Sequence, residues 1–139
     1  MEKIEFIRQF NRSYTASLGV LGNTYLGTSR SLTEIRILYE IQQHSGCFAR
    51  EIGKTLRLNE GYISRIIKKM EQLGFLIKEK SPQDGRSYHL YLTDQGEAQV
   101  DDLSRKAADQ IRQLLEGISP QDQQRLVDAM RIIEDILNI

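Results

Sequence analysis

The amino-acid sequence predicts a mainly α-helical fold with one small β-hairpin, which places the chain in the α+β class. From Asn59 to Gly96, apolar residues first recur at steps of three and four and then at steps of two. The first spacing is that of an amphipathic helix, and the second is that of a half-buried strand. Capping patterns before and after this stretch predict further helices at both ends. Helices followed by a hairpin in this order indicate a winged helix-turn-helix.

Two helices are predicted before that stretch. Residues 4 to about 26 carry apolar residues at helical steps, although Gly19 and Gly22 weaken the second half because glycine costs roughly 1 kcal/mol against alanine in a helix. At residues 31–34, serine is followed three positions later by glutamate, which is the capping-box pattern. We expect this pattern to start a helix that extends to about residue 43. Its apolar positions are Ile35, Leu38, Tyr39 and Ile41.

A third helix is predicted from about residue 49 to 56, followed by a tight turn at 57–59 and a basic fourth helix. Asn59 is a favourable N-cap for the fourth helix, and Gly74 suits the left-handed backbone of its C-terminus. Its apolar stripe comprises Ile63, Ile66, Ile67, Met70 and Leu73. The opposite face carries Gly61, Ser64, Arg65, Lys68 and Gln72. No acidic residue lies on that face beyond the first turn, so the helix suits contact with phosphate groups.

The predicted hairpin consists of strands at residues 75–80 and 87–93, joined by the turn-forming segment 81–86. A short third strand is expected beside it at 46–48. In a winged helix-turn-helix the basic helix enters a DNA major groove, and the hairpin tip, here Arg86, reaches the adjacent minor groove or the backbone. The pattern therefore predicts double-stranded DNA as a partner.

Two long helices are predicted after the hairpin. Thr93 is placed to cap the first, and Ser119 with Pro120 starts the second. The first and last helices of the chain carry more apolar surface than a small winged domain covers, so we expect a homodimer. The residues assigned to dimerisation are Ile4, Ile7, Phe10, Leu114, Leu126, Met130, Ile133, Ile136 and Leu137.

The expected organisation is a single domain over residues 1–139. Its dimerisation helices cover residues 1–28 and 98–139, and the winged helix-turn-helix covers 31–96. A twofold axis then presents two basic helices to a pseudo-palindromic site, with half-sites about one DNA turn apart.

Formal charge is distributed unevenly, although the net charge is zero. Residues 50–90 contain nine bases and five acids, whereas residues 94–139 contain five bases and ten acids. A basic middle and an acidic C-terminal part indicate one surface for DNA and another turned away from it.

Composition and motifs disfavour other classes of protein. No apolar run approaches the roughly 20 residues that span a membrane, and the acidic N-terminal segment does not resemble a signal peptide. A single cysteine, Cys47, excludes an internal disulfide and fits a reducing cytoplasm. With His44 and His89 too few and too far apart in the sequence, no metal site is expected. Neither a glycine-rich phosphate loop nor a nucleophile elbow is present, so neither an enzyme nor a cofactor is expected.

The hairpin and the residues after it resemble a known family. Asp84, Arg86, Leu92, Thr93 and Gly96 match the Asp-x-Arg-x5-Leu-Thr-x-x-Gly signature of MarR-family transcriptional regulators, and the similarity extends through nearly the whole chain. The resemblance implies a dimeric winged helix-turn-helix protein that usually represses its own or a neighbouring operon. Such proteins often release DNA when a small molecule binds. The N-terminal half is more similar to MarR-like domains that precede a GNAT-type acetyltransferase, but a chain ending at residue 139 is not expected to carry that enzyme.

The resemblance also implies roles for individual residues. Ser64 and Arg65 are expected to contact bases or phosphates, with support from Lys68. The full set expected at the DNA is Gly61, Tyr62, Ser64, Arg65, Lys68, Lys69, Arg86 and Ser87. Asp84 is expected to orient the wing by pairing with a nearby arginine, because phosphate groups repel a carboxylate.

Three alternatives stay open. Tyr14, Tyr25 and Tyr39 either line a small-molecule cleft between the dimerisation helices and the winged domain or pack in the core. Cys47 is either an oxidation sensor or a small buried residue at the start of a strand. The winged helix is either a DNA-binding unit or a docking module for a protein such as a separately encoded acetyltransferase. The serine, arginine and lysine of the fourth helix favour DNA, since a docking face tends to expose apolar residues.

Overall fold

The computed structural model describes residues 2–22 and 24–139, and its helices and strands follow the predicted order. Their bounds are α1 Lys3–Ser17, α2 Leu32–Gln43, α3 Ala49–Leu56, α4 Glu60–Gln72, β1 Leu76–Lys80, β2 Tyr88–Leu92, α5 Asp94–Leu115 and α6 Pro120–Leu137. The mainly α-helical class with one antiparallel hairpin is confirmed. The chain divides into two compact units, Met1–Ser104 and Arg105–Ile139, and α5 begins in the first and ends in the second.

The core of the first unit forms where α2, α3 and α4 pack with the hairpin and the beginning of α5. Its buried residues are Ile37, Leu38, Ile41, Cys47, Ile52, Ile63, Ile66, Ile67, Met70, Phe75, Leu76, Leu90 and Val100. Burying one such large apolar side chain contributes about 1.5–3 kcal/mol to the free energy of unfolding. Four of these residues come from α4, so the core determines which face of that helix stays exposed.

Two predicted core positions are wrong. Tyr39 in α2 is 39% exposed, whereas Ile37 is fully buried. These two residues lie about 200° apart around the helix, and the core is on the Ile37 side. Leu73 is 41% exposed, because α4 ends at Gln72 and Gly74, with a φ of 82°, turns the chain into β1.

The predicted extension of the first helix to residue 26 is also wrong, because α1 ends at Ser17. Gly19 follows with a φ of 68°, the left-handed conformation that ends helices. In the segment between α1 and α2, the backbone N–H of Tyr25 donates to the carbonyl of Arg30 at 2.7 Å. Residue 23 of this segment lies outside the described residues.

The predicted helix starts are confirmed by their capping hydrogen bonds. The Ser31 hydroxyl accepts from the backbone N–H of Glu34, whose carboxylate accepts in return from the Ser31 N–H. Asn59 Oδ1 accepts from the Tyr62 N–H at 2.7 Å, and Ser119 Oγ caps α6 in the same way. The short strand expected at 46–48 is a single bridge residue, Cys47, paired with Leu90.

The second unit contains the end of α5, a turn and α6. The side-chain amide of Gln123 donates to the carbonyls of Leu115 and Ile118, which holds the turn together. Large exposed apolar residues on α6 are Val127, Met130, Ile132, Ile133, Ile136 and Leu137. In the first unit, α1 likewise exposes Ile4, Phe6, Ile7 and Phe10. None of the described helices combines the length and apolar character needed to cross a membrane.

A compact junction joins α4, the hairpin and the beginning of α5. The Thr93 hydroxyl donates to the carbonyl of Gly74 at 2.6 Å and accepts from the backbone N–H of Gly96 at 3.1 Å. The Thr93 N–H donates to the carbonyl of Phe75 at 3.1 Å. A Cβ atom added to Gly96 would overlap that same Phe75 carbonyl oxygen. The junction therefore requires glycine at position 96 for close backbone packing, independent of backbone torsion.

We predict that Gly96→Ala lowers the free energy of unfolding by about 2–3 kcal/mol, because the added methyl group forces backbone apart in a packed region. Urea denaturation followed by circular dichroism measures the change. Gly61→Ala in α4 is the matched control, since a Cβ there meets only the Asn59 side chain, at 3.6 Å. The control gains helix propensity and is expected to be neutral or stabilising. Equal midpoints and slopes for Gly96→Ala and the unmodified protein would contradict this account.

Candidate nucleic-acid interface

The polar face of α4 is exposed opposite its buried stripe. Gly61, Ser64, Arg65 and Lys68 are all exposed along it. The guanidinium carbon of Arg65 lies 5.9 Å from the ring centroid of Tyr62. Tyr62 is half-buried and packs against the core, so its ring lies between the core and the exposed face of α4. The structure thus brings four of the predicted contact residues onto one exposed surface, with Tyr62 at its edge.

Lys69 lies next to this face in the sequence, but its ammonium group has a different partner. Its Nζ is 3.4 Å from Oε2 of Glu34, a buried carboxylate in the first turn of α2. Arg30 Nη1 approaches the same oxygen at 3.3 Å. A buried carboxylate that loses its cationic partners costs roughly 3–5 kcal/mol, so these contacts matter to the fold. The ion pair links α4 to α2 and gives Lys69 a structural role. Its contact with DNA stays a prediction.

The wing tip is ordered by hydrogen bonds around Asp84. Its Oδ1 accepts from the backbone N–H of Arg86 at 3.0 Å, and its Oδ2 accepts from the Ser87 hydroxyl at 3.0 Å. Ser87 Oγ in turn accepts from Nη1 of Arg50 at 3.1 Å. Arg50 is thus linked to Asp84 indirectly, through the Ser87 hydroxyl. This leaves the Arg86 side chain exposed at the tip.

These hydrogen bonds also affect the ionisation of Asp84. The backbone N–H of Arg86, then the Ser87 hydroxyl and the positive charge of Arg50, lower the pKa of the Asp84 carboxyl below its ordinary value of 3.8. The carboxylate is thus ionised at neutral and mildly acidic pH. Its contribution to wing order is fully present above the ordinary pKa and is lost only as pH falls through the lowered one.

Arg50 is a functional candidate that the sequence did not reveal. It lies in the first turn of α3, and its guanidinium carbon is 4.3 Å from the ring centroid of Phe48. The Phe48 ring packs on the His89 ring of β2 at a centroid distance of 4.5 Å. Arg50 and Ser87 are 37 positions apart, and neither spacing nor a capping pattern connects them in the sequence.

A cleft of about 400 Å³ opens between α3, α4 and the hairpin. Its lining residues are Phe48, Ala49, Arg50, Glu60, Ser64, Ile67, Lys78, Arg86, Ser87, Tyr88 and Leu90. Three cationic side chains and one carboxylate contribute to this lining, and Lys78 also lies 3.6 Å from the Glu71 carboxylate. A concave surface with basic side chains and two serine hydroxyls is suited to phosphate oxygens.

The three tyrosines suggested for a ligand cleft occupy different elements. Tyr14 is on α1, where its ring stacks on Phe10 at a centroid distance of 5.4 Å. Tyr25 is half-buried in the segment before α2, and Tyr39 is exposed on α2. Their shared part in ligand binding stays a prediction.

Cys47 is buried, and its backbone carbonyl accepts from the Leu90 N–H at 2.9 Å. Burial, then the negative charges of Glu51 and Glu40, raise the pKa of the Cys47 thiol from 9.0 to about 11. Because the thiolate is the reactive form, these surroundings favour the structural alternative over an oxidation sensor. Within residues 2–22 and 24–139, no three His, Cys, Asp or Glu side chains are placed to hold a metal ion.

Residues 31–88 match the family model described as the MarR family. An uncharacterized HTH-type transcriptional regulator of Bacillus subtilis, YkoM, is 33% identical over 99 residues, which cover 71% of this chain and 64% of the relative. Residues 31–88 are thus similar to the MarR family in sequence. The aligned part spans less than two thirds of that relative's length.

Solved structures share this MarR fold. FabT of Streptococcus pneumoniae, crystallised with DNA, superposes with a TM-score of 0.80 at 16% identity, covering 99% of this chain and 98% of FabT. The PcaV regulator of Streptomyces coelicolor gives a TM-score of 0.74 at 20% identity, with the same coverage of the two chains. At these identities the likeness concerns the fold alone.

Four residues of the MarR signature, Asp84, Arg86, Thr93 and Gly96, have defined structural positions in this chain. Asp84 orders the wing tip, and Arg86 is the exposed cation that the ordered tip presents. Thr93 and Gly96 form the junction that fixes α5 to the end of α4. The signature thus combines one exposed cation with the residues that hold it in position.

We predict that the Cys47 thiol of the folded protein reacts with iodoacetamide at pH 8 about 100-fold more slowly than an ordinary thiol, because a pKa of 11 instead of 9.0 reduces the thiolate fraction by that factor. Mass spectrometry of timed samples measures the rate. The same protein in concentrated guanidinium chloride is the control and is expected to react at the ordinary rate. Rapid labelling of the folded protein would show that Cys47 is accessible and ionised, and would revive the oxidation-sensor alternative.

Proposed function

We propose that this protein is a sequence-specific MarR-type regulator that binds double-stranded DNA as a homodimer and represses transcription. The observation that carries the proposal is the placement of the exposed face of α4 beside the Arg86 wing tip, around one cationic cleft. A DNA-binding role would place the protein in the cytoplasm with its operator. No enzymatic activity is proposed.

The geometry supports a division of tasks on the DNA. A major groove about 12 Å wide admits an α-helix, so α4 can present Ser64 and Arg65 to base edges and Lys68 to phosphates. The wing tip would then place Arg86 at an adjacent minor groove or backbone. Phosphate contacts position the protein, whereas contacts to base edges select the sequence.

The exposed apolar residues of α1 and α6 support the dimer. Of the residues assigned to dimerisation, Leu126 is half-buried and the others are exposed. An apolar face of this kind on a terminal helix is stabilised when a second copy covers it. A dimer of this kind would match a pseudo-palindromic operator.

A small-molecule effector is part of the proposal because of two structurally similar regulators. PcaV has been crystallised in complex with its natural ligand, and 6-hydroxynicotinic acid regulates the DNA binding of Bordetella bronchiseptica BpsR. Tyr14, Tyr25 and Tyr39 are the proposed contact candidates in this chain. An effector that binds the free dimer better than the DNA-bound dimer would release the operator.

The first test is binding of the full chain to the region upstream of its own gene, compared with an unrelated duplex of equal length, at two salt concentrations. We expect tight binding to the upstream region only, weakening steeply with salt as counterions are released. Weak and equal binding to both duplexes would contradict repression of its own gene and favour the alternative of a protein-docking module.

We predict that Arg65→Ala weakens operator binding by roughly 1–3 kcal/mol and reduces discrimination between operator variants, because a base contact is lost. Lys69→Ala is a matched control, since it removes one positive charge from the same helix at a residue paired with Glu34. The control is expected to change thermal stability more than operator affinity. Fluorescence anisotropy with labelled duplexes measures both affinities. A larger loss of affinity in Lys69→Ala than in Arg65→Ala would reverse the assignment of these residues.

A further inference from the structure

Arg50 occupies an unfavourable position for an isolated cation. It lies in the first turn of α3, at the end of the helix dipole that repels positive charge. The structure compensates in two ways, since the guanidinium lies over the Phe48 ring and donates to the Ser87 hydroxyl. An arginine that is held at the positive end of a helix dipole does not stabilise that helix. Its position therefore indicates a role in a contact outside α3.

The support under Arg50 is anchored on the hairpin. The Phe48 ring packs on His89 of β2, and His89 Nδ1 lies 2.7 Å from the carbonyl oxygen of Gly46. That distance is a hydrogen bond in which Nδ1 donates. The guanidinium therefore lies over the Phe48 ring, which contacts the His89 ring at an interplanar angle of 34°, and His89 is hydrogen-bonded to the backbone.

On its other side Arg50 reaches the tip of the wing. The chain of hydrogen bonds runs from its Nη1 to Ser87 Oγ, from that hydroxyl to Asp84 Oδ2, and from the backbone N–H of Arg86 to Asp84 Oδ1. Each of these hydrogen bonds involves a charged group, the Arg50 guanidinium or the Asp84 carboxylate, and charge-assisted hydrogen bonds are stronger than neutral ones. The connection crosses from α3 to the four residues that precede β2.

We infer that Arg50 is a positioning residue that holds the wing tip in its DNA-binding conformation before DNA arrives. This inference rests on the proposed function and adds a residue to its interface. A planar guanidinium can lie flat on a ring and donate along its edge at the same time, whereas a lysine ammonium has no plane with which to stack. Without Arg50 the tip at Arg86 loses its hydrogen-bonded connection to α3. Ordering the tip would then reduce the free energy gained on binding DNA.

The first arm of the test needs no DNA. Hydrogen exchange of the backbone amides of Asp84, Arg86 and Ser87 is measured by NMR in the free protein and in Arg50→Ala, Arg50→Lys and Ser87→Ala. We expect all three variants to raise exchange at the tip and to leave α4 unchanged. Lys54→Ala is the matched control, because it removes one positive charge from the same helix outside the cleft. Tip exchange unchanged in Arg50→Ala and Ser87→Ala would overturn the inference.

The second arm measures affinity for the upstream duplex at several salt concentrations. We expect Arg50→Ala and Ser87→Ala each to bind roughly five- to tenfold more weakly than the unmodified protein. The double variant is expected to bind no more weakly than whichever single variant has the lower affinity, because both substitutions break the same chain of hydrogen bonds. The slope of log affinity against log salt is expected to stay unchanged, because under this inference Arg50 and Ser87 position Arg86 and do not themselves neutralise a phosphate. Arg50→Lys, which keeps the charge, is expected to behave like Arg50→Ala.

Other outcomes of the second arm overturn the inference. In one such outcome, the affinity losses of Arg50→Ala and Ser87→Ala add in the double variant, and the salt slope falls by about one in Arg50→Ala and returns to its original value in Arg50→Lys. That result would identify Arg50 as a direct phosphate contact. If Arg50→Ala loses no more affinity for the duplex than Lys54→Ala, Arg50 contributes only its general positive charge to DNA binding. If the unmodified protein itself fails to bind the duplex, the proposed function fails, and the exchange arm still decides whether Arg50 orders the wing.

Discussion

The close packing of Gly96 against the carbonyl of Phe75 is the constraint on which the rest of the first unit depends. It brings the start of α5 against the end of α4, where the Thr93 hydroxyl bonds to the Gly74 carbonyl. The hairpin lies between these two points in the sequence, so its strands leave and return at a fixed place. The exposed face of α4 and the wing therefore keep one mutual orientation, which the proposed contact with two DNA grooves requires.

Some charged side chains of α4 and the wing are exposed, and others are paired within the protein. Lys68 is exposed beside Arg65, whereas Lys69 is drawn to the buried Glu34 together with Arg30. The two adjacent lysines therefore differ in their contacts, since Lys69 pairs with a carboxylate of α2. On the wing, Asp84 brings negative charge close to a proposed phosphate surface, but its oxygens are occupied by the tip itself.

Local features of the fold were predictable from the sequence, and long-range features were not. The caps at Ser31, Asn59 and Ser119 depend on residues three positions away, so their patterns are complete in the sequence. The end of α1 was missed because apolar spacing continues past Gly19, where backbone conformation overrides it.

The same limit applies to the candidate site. The exposed residues of α4 and the Arg86 tip followed from periodicity, turn chemistry and the family signature. The pairing of Lys69 with Glu34 and the contact of Arg50 with Ser87 join residues 35 and 37 positions apart. Such contacts depend on how α2 and α3 pack, and a single sequence does not contain that geometry.

Gly61 carries a consequence for how this surface can change over time. It is exposed on α4, its backbone is not left-handed, and a Cβ there would meet only the Asn59 side chain, at ordinary contact distance. A side chain can therefore be added at the front of the helix without disturbing the core or the junction. Under the proposed function, substitutions at this position would give duplicated copies of this protein different DNA preferences while they retain the same fold.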